Sequence, residues 1–251
     1  MPTLRAEFRK LLTVRSTYVA AMLALAVTGG TAMYIVGWHA SAADLRDRTF
    51  LATQVANPIA IVAILGNVVA ILVITHEYRY NLLLHTLTAT NSRNKVLAAK
   101  ATVVTTFAVA LTIGVDAVAF AVSSVTAHIA HGHALVPQTV RYGDLLWRTL
   151  FYGWGYAAAG LAIALLVRNQ VGALVTAFVL FGPAEGILSV ALGNHGYLMP
   201  FTALTNVLGS KLANEALVAV SHERAAVAFL VDIALATAVG WLGFIRRDAS
   251  A

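Results

Sequence analysis

The sequence contains no cysteine and few charged residues, and both shortages limit what the protein can be. Without cysteine the chain has no disulfide framework, no thiolate metal ligand and no thiol nucleophile. Only 11% of its 251 residues are charged and 59% are hydrophobic, whereas a soluble domain has about 25% charged residues. The chain therefore cannot cover a water-facing surface with polar side chains, and we predict that it lies in a membrane.

Sequence signatures of nucleotide and hydrolytic chemistry are also missing. There is no G-x-x-x-x-G-K-[ST] phosphate-binding loop, no G-x-S-x-G nucleophile motif and no H-E-x-x-H zinc motif. The histidines His128, His131 and His133 share one predicted loop, but no cysteine or carboxylate accompanies them, so we predict no metal site. We therefore expect no catalytic residue and no cofactor in this chain.

What the chain has instead is a series of long apolar segments. Backbone N–H and C=O groups in hydrocarbon must hydrogen-bond within the protein, which favours helices in segments rich in Ala, Leu and Val. Crossing about 30 Å of hydrocarbon at 1.5 Å per residue takes about 20 residues. Six segments meet this length: Thr17–Trp38, Ala56–Thr75, Ala98–Ala127, Leu145–Val167, Val171–Leu192 and Ala225–Phe244. We predict an all-α integral membrane protein with six transmembrane helices, forming a single transmembrane domain over residues 1–251.

The distribution of basic residues predicts the orientation of these spans. An even number of spans places both termini on one side, and eleven of the 17 Lys and Arg residues fall on that side. Cytoplasmic loops carry an excess of Lys and Arg. We therefore expect both termini in the cytoplasm. The same bias explains the net charge of +6 without a nucleic-acid partner.

Residues 1–16 have the pattern of an amphipathic helix that precedes the first span. Apolar residues recur at helical spacing, and basic residues occupy the other faces of the same turns. The apolar residues are Leu4, Phe8, Leu11 and Leu12, and the basic ones are Arg5, Arg9 and Lys10. We predict an interfacial helix with its cations near lipid phosphates. The alternative is a short basic flank that only sets the topology.

The predicted loop between the second and third spans, residues 76–97, is partly apolar and compatible with a helix. Glu77 stands where a helix N-terminus would favour a carboxylate. The flanking cations are Arg79, Arg93 and Lys95, and the apolar residues are Leu82, Leu83, Leu84 and Leu87. Such a helix binds either lipid or a soluble partner, and the residues alone slightly favour lipid.

Three acidic residues lie inside predicted spans: Asp116, Glu185 and Asp232. A carboxylate is costly in lipid, so each is expected to face the bundle interior, a water-filled path or a cation. Arg148 is the predicted salt-bridge partner of Asp116. The acids belong either to a substrate path or to the internal structure. Pro183 beside Glu185 is expected to break the fifth helix.

Four stretches of the sequence together resemble the permease subunits of type-2 ABC exporters, especially short six-span ones from high-GC bacteria. They are LRAEFRKLLTVRSTY from Leu4, EYR at Glu77 with the later TLTATNSRNKVLAAK, ALLVRNQVGAL after the fourth span, and GPAEGIL with YLMPFTAL. They follow one another in the family's order along nearly the whole chain. The chain departs from the family pattern at Asn81, Leu82 and Asn91.

The resemblance implies a partner, a coupling segment and a location. In this family the loop after the second span forms a coupling helix that docks on a separate ATP-binding subunit, which implies that role for Glu77–Lys95. The residues implied to contact the ATPase are Glu77, Tyr78, Arg79 and Arg93. ATP and Mg²⁺ would bind two ATPase subunits beneath a pair of permeases, either two copies of this chain or this chain with a related one. Re-entrant segments would follow the fifth span over residues 193–224, in a bacterial plasma membrane.

Two other classes of function remain open from the residues themselves. A proton-coupled secondary transporter would use the three buried acids as relays. A membrane enzyme would need a group of catalytic residues of unfamiliar type.

Overall fold

The computed structural model describes residues 2–41, 43–79, 92–132, 142–209 and 220–246. Within these ranges the chain is almost entirely helical and contains no strand. Six of the described helical segments are long and apolar enough to cross a membrane. They are Arg15–His39, Val62–Arg79, Arg93–His131, Gly143–Val167, Gln170–Leu198 and His222–Phe244. The predicted all-α membrane fold with six spans is therefore confirmed.

A short amphipathic helix, α1 (Pro2–Thr13), precedes the first span, α2 (Arg15–Tyr34). Val14 between them is extended (φ −82°, ψ 114°), which ends one helix and lets the next begin in another direction. The predicted N-terminal helix therefore exists. Leu11 is buried against Val69 and Val103, so α1 packs on the bundle through its apolar face.

The second and third spans are α3 (Arg48–Arg79) and α4 (Arg93–His131). The hydroxyl of Ser92 accepts a hydrogen bond from the Lys95 N–H and caps the start of α4. At its other end α4 stops at Gly132, whose positive φ of 65° suits a residue without Cβ. Most of the predicted coupling helix, residues 80–91, lies outside the described residues.

The fourth span, α5 (Tyr142–Val167), is the central helix of the bundle. About two-thirds of the residues in its apolar stretch are buried, against about a fifth in the first, fifth and sixth spans. Small residues permit this position: a Cβ added at Gly160 would lie 2.6 Å from the carbonyl oxygen of Asn67 in α3. Close approach also lets the Asn67 amide donate to the Tyr156 carbonyl at 2.7 Å. Small residues thus allow two helices to pack closely at this contact.

The fifth span begins as α6 (Gln170–Val179), widens into a π-helical turn at Leu180–Ala184 and continues as α7 (Glu185–Leu192). The expected break at Pro183 is thus a π-helical turn. It accommodates the backbone N–H that proline lacks, and the helix continues beyond it. Phe181 in this turn packs edge-on against Phe201, with ring centroids 4.3 Å apart.

The chain turns back after α7 before it forms the last span. Gly193, with φ of 52°, starts a 3₁₀ helix (Gly193–Leu198), and α8 (Pro200–Leu208) follows. The last span is α9 (His222–Arg246). Residues 210–219 of the predicted re-entrant region lie outside the described residues. Since α8 is buried almost throughout, it is an internal part of the bundle and not an exposed loop.

Candidate functional site

Four charged side chains from three helices meet at the end of the bundle where α3 ends and α4 begins. We call Glu7, Lys10, Glu77 and Lys100 the ion cluster. The Lys10 ammonium lies 2.7 Å from both Glu7 Oε1 and Glu77 Oε1. The Lys100 ammonium lies 2.9 Å from Glu7 Oε2 and 3.0 Å from Glu77 Oε1. Each lysine therefore bridges both glutamates, and the cluster joins α1 to α3 and α4.

The ion cluster is electrically neutral and mostly removed from solvent. The side chains of Glu7, Glu77 and Lys100 are 3–6% exposed, whereas that of Lys10 is 48% exposed. Burial opposes the charge of Lys10, but hydrogen bonds and charge interactions with Glu7 and Glu77 raise its pKa overall. Lys100 also donates to the Val73 carbonyl at 3.1 Å. Two cations and two anions thus compensate one another in a place where a single unpaired charge would be costly.

The expectation that Glu77 stands at a helix N-terminus is wrong. Glu77 lies in the last turn of α3 and is buried in the ion cluster. A carboxylate is unfavourable at a helix C-terminus by the helix dipole alone, and here two lysines from other helices compensate it. Whether Glu77 also contacts a partner protein stays a prediction.

The other three predicted coupling residues lie around the two ends of the segment 80–91. Tyr78 is half-buried against the core. Arg79 donates to the side-chain oxygen of Gln170 at 3.1 Å, and Arg93 donates to the Phe244 carbonyl at 2.9 Å. These bonds connect the ends of the segment to the start of α6 and the end of α9.

Glu185, one of the three predicted path residues, holds the start of α8. Its carboxylate accepts hydrogen bonds from the Phe201 N–H at 2.9 Å and from the Thr202 N–H at 2.9 Å. These donors belong to the first turn of α8, whose N–H groups have no partner within the helix. Glu185 is buried, and its negative charge sits at the positive end of the helix dipole. This geometry supports a structural role for Glu185, which holds the start of α8 in place.

Asp116 and Asp232 each keep one buried carboxylate oxygen without a hydrogen-bond donor among the described residues. Asp116 accepts a bond from the Thr149 hydroxyl at 2.7 Å. Asp116 therefore faces α5, the helix that carries Thr149.

The predicted salt bridge between Arg148 and Asp116 is wrong. Arg148 pairs with Asp144 one turn earlier on its own helix, at 2.9 Å. Its guanidinium also approaches His222 Nε2 at 3.3 Å, and His222 Nδ1 donates to the Asn206 carbonyl at 2.8 Å. An (i, i+4) partner is available without any displacement of helices, so Arg148 joins α5 to α9 and leaves Asp116 to Thr149.

The described residues contain no group of three side chains able to hold a metal ion. His131 bonds to the Val36 carbonyl at 2.9 Å and so serves to join α4 to the end of the first span. His133 lies outside the described residues.

Comparison with known families gives the protein its class. Residues 3–183, which run from α1 into the π turn of the fifth span, match the family described as ABC-2 family transporter protein. The chain belongs to the ABC-2 transporter family. The resemblance to type-2 ABC permeases is therefore confirmed over most of the chain. A search of curated proteins found no match.

As an ABC-2 family member, the chain is a multi-pass membrane protein and a permease component of an ABC transporter. The family implies pairing with an ATP-binding subunit. The ion cluster and the bonds of Arg79 and Arg93 lie at the end of this permease where α3 ends and α4 begins.

Sequence reasoning missed three of the four residues of the ion cluster in this ABC-2 permease. Glu7 is the one acid in the basic helix α1, and Lys100 is the one cation in the apolar run from Val96 to Val104. Each is exceptional in its surroundings, which is a signal that a buried partner exists. Lys10 carries no such signal, because a lysine is ordinary on an interfacial helix.

Proposed function

We propose that this chain is the membrane subunit of an ATP-driven exporter, working as a pair of permeases with two ATP-binding subunits that bind ATP and Mg²⁺. The chain itself would hydrolyse no ATP. The termini and the segment 76–97 would face the cytoplasm of a bacterial plasma membrane, in keeping with the basic residues on that side.

The observation that carries this proposal is the attachment of both ends of the segment 80–91 to the rest of the bundle. At one end Glu77 is bonded to α1 and α4, and Arg79 to α6. At the other end Arg93 is bonded to α9. A push on this segment by a closing ATPase dimer would thus reach four helices through ion pairs and hydrogen bonds, which is what a coupling element requires.

The substrate path is proposed near the two acids with incompletely bonded carboxylates. Asp116 and Asp232 each present a buried oxygen that a cationic or hydrogen-bonding substrate could engage. Glu185 already accepts two backbone bonds, so its contribution would be to position α8 beside the path. Asp232→Asn should change nucleotide-driven transport while the assembled complex persists.

The first test is to purify the tagged chain gently from its native membrane and look for a stoichiometric ATP-binding subunit by mass spectrometry. We expect an ATP-binding subunit to co-purify and transport to require ATP. Transport by the purified chain alone in liposomes with a proton gradient would refute it and favour a proton-coupled carrier.

The coupling role needs variants that leave the ion cluster intact. Glu77→Lys would place three lysines against one glutamate, so its loss of coupling could not be separated from loss of folding. Arg79→Gln with Arg93→Gln cuts the bonds to α6 and α9 instead. We expect ATPase association to persist and transport per ATP to fall. The matched control is Arg46→Gln, an exposed change in a short 3₁₀ helix (Asp44–Arg46) at the other end of the spans. Equal transport per ATP in both variants would contradict the coupling role.

A further inference from the structure

The outward face of α1 is strongly basic. Arg5, Arg9 and Lys10 are exposed and line one open surface together with Ala6 and Thr13. The single acid of this helix, Glu7, points into the ion cluster and is 3% exposed. Arg5 and Arg9 therefore face no exposed carboxylate on the same helix, whereas Lys10 is also paired with Glu7 and Glu77.

Directly behind this face lies a cavity of about 230 Å³ between α1, the start of α2 and the end of α3. Its wall is mainly apolar, and the buried ion cluster forms its polar side. The apolar lining residues are Leu11, Val14, Val69, Leu72 and Val73. An apolar wall with a charged margin fits an amphiphile better than a fully polar ligand.

The basic surface and the apolar cavity are continuous, because Lys10 and Thr13 line both. We propose that they form one binding site for an anionic phospholipid of the leaflet in which α1 lies. The phosphate would contact Arg5, Arg9 and Lys10, and the upper part of one acyl chain would enter the cavity between α1 and α3. This site does not depend on the proposed export function.

Charge and position both favour a lipid over a soluble anion. The ion cluster sums to zero, so its glutamates do not cancel the attraction of Arg5 and Arg9. The first membrane span begins at Arg15, only two residues after α1 ends, which places the site where lipid headgroups meet hydrocarbon. A soluble phosphate would leave the apolar wall unused.

The test measures binding of phosphatidylglycerol and phosphatidylcholine, with identical acyl chains, to the purified full chain in detergent at low salt. Each surface cation contributes about fivefold to attraction for anionic lipid, so Arg5→Gln with Arg9→Gln should weaken phosphatidylglycerol binding about 25-fold. Phosphatidylcholine also has a phosphate, but its choline cation makes the headgroup neutral, so its binding should fall much less. Leu72→Trp fills the cavity and should weaken both lipids; Val14→Trp does the same from the other wall, should Leu72→Trp fail to fold.

The matched control removes two exposed arginines at the other end of the bundle, Arg46→Gln with Arg224→Gln. Unchanged phosphatidylglycerol binding in this control supports a specific site at α1. A loss equal to that of Arg5→Gln with Arg9→Gln would overturn the proposal in favour of general charge attraction. Normal lipid binding in both tryptophan variants would overturn the acyl-chain part. If Arg5→Gln with Arg9→Gln keeps its lipid affinity but loses a co-purifying ATPase subunit, the basic face docks that protein and the lipid site is refuted.

Discussion

Removal of one cation from the ion cluster provides the sharpest test of how α1 is held against α3 and α4. Lys100→Met keeps the length of the side chain but deletes the charge that bridges Glu7 and Glu77 at 2.9 and 3.0 Å. Two carboxylates would then share the single ammonium of Lys10. Because Glu7 and Glu77 are at most 6% exposed, solvent would offset the missing charge only in part.

The magnitude follows from the burial of these side chains. Breaking a buried ion pair by removal of one partner costs about 3–5 kcal/mol. For a chain of this size about 1 kcal/mol shifts the unfolding midpoint by about 2–4 °C, so we expect Lys100→Met to lower it by about 6–20 °C. The Lys10 pairs are half-exposed and would contribute less.

A compensating variant separates charge balance from mere loss of contact. Lys100→Met with Glu77→Gln removes one charge of each sign and leaves the Glu7–Lys10 pair, so it should recover more than half of the lost stability. Lys95→Met, an exposed change on the same helix, should shift the midpoint by less than about 2 °C.

The assay is thermal unfolding of the full chain in detergent, followed by size-exclusion chromatography of the remaining folded fraction. A midpoint for Lys100→Met that matches the Lys95→Met control would refute the reasoning. So would a double variant that is less stable than Lys100→Met alone.

Two further stability predictions use the same assay. Glu185→Ala removes the acceptor of two backbone N–H groups at the start of α8, including that of buried Phe201. It should lower the free energy of unfolding by about 1–3 kcal/mol per group. Glu185→Gln keeps one oxygen and should lower it less, so equal losses would contradict the capping role. Gly160→Ala places a Cβ 2.6 Å from the Asn67 carbonyl and should cost about 1–3 kcal/mol, whereas Gly30→Ala meets no atom within 4 Å and should be neutral or stabilising; a neutral Gly160→Ala would show that α3 and α5 can separate freely.

The six spans and the break before the first of them were predictable from the sequence because their causes are local. A run of about 20 apolar residues has only lipid as a suitable solvent, whatever the rest of the chain does. Likewise, the period of Leu4, Phe8 and Leu11 defines a helical face before any packing occurs. The coupling segment was predicted mainly from its resemblance to a family, and residues 80–91 lie outside the described structure.

The partners of the charged residues were decided by the tertiary structure alone. Glu7 and Lys100 are 93 positions apart, and only the docking of α1 against α4 makes them neighbours. Glu185 had no visible partner in the sequence, because its partners are backbone N–H groups of a helix that folds back onto it. Hydrophobic length is a property of a segment, whereas the pairing of a buried charge depends on which helix faces are brought together, and that information lies in the packed bundle.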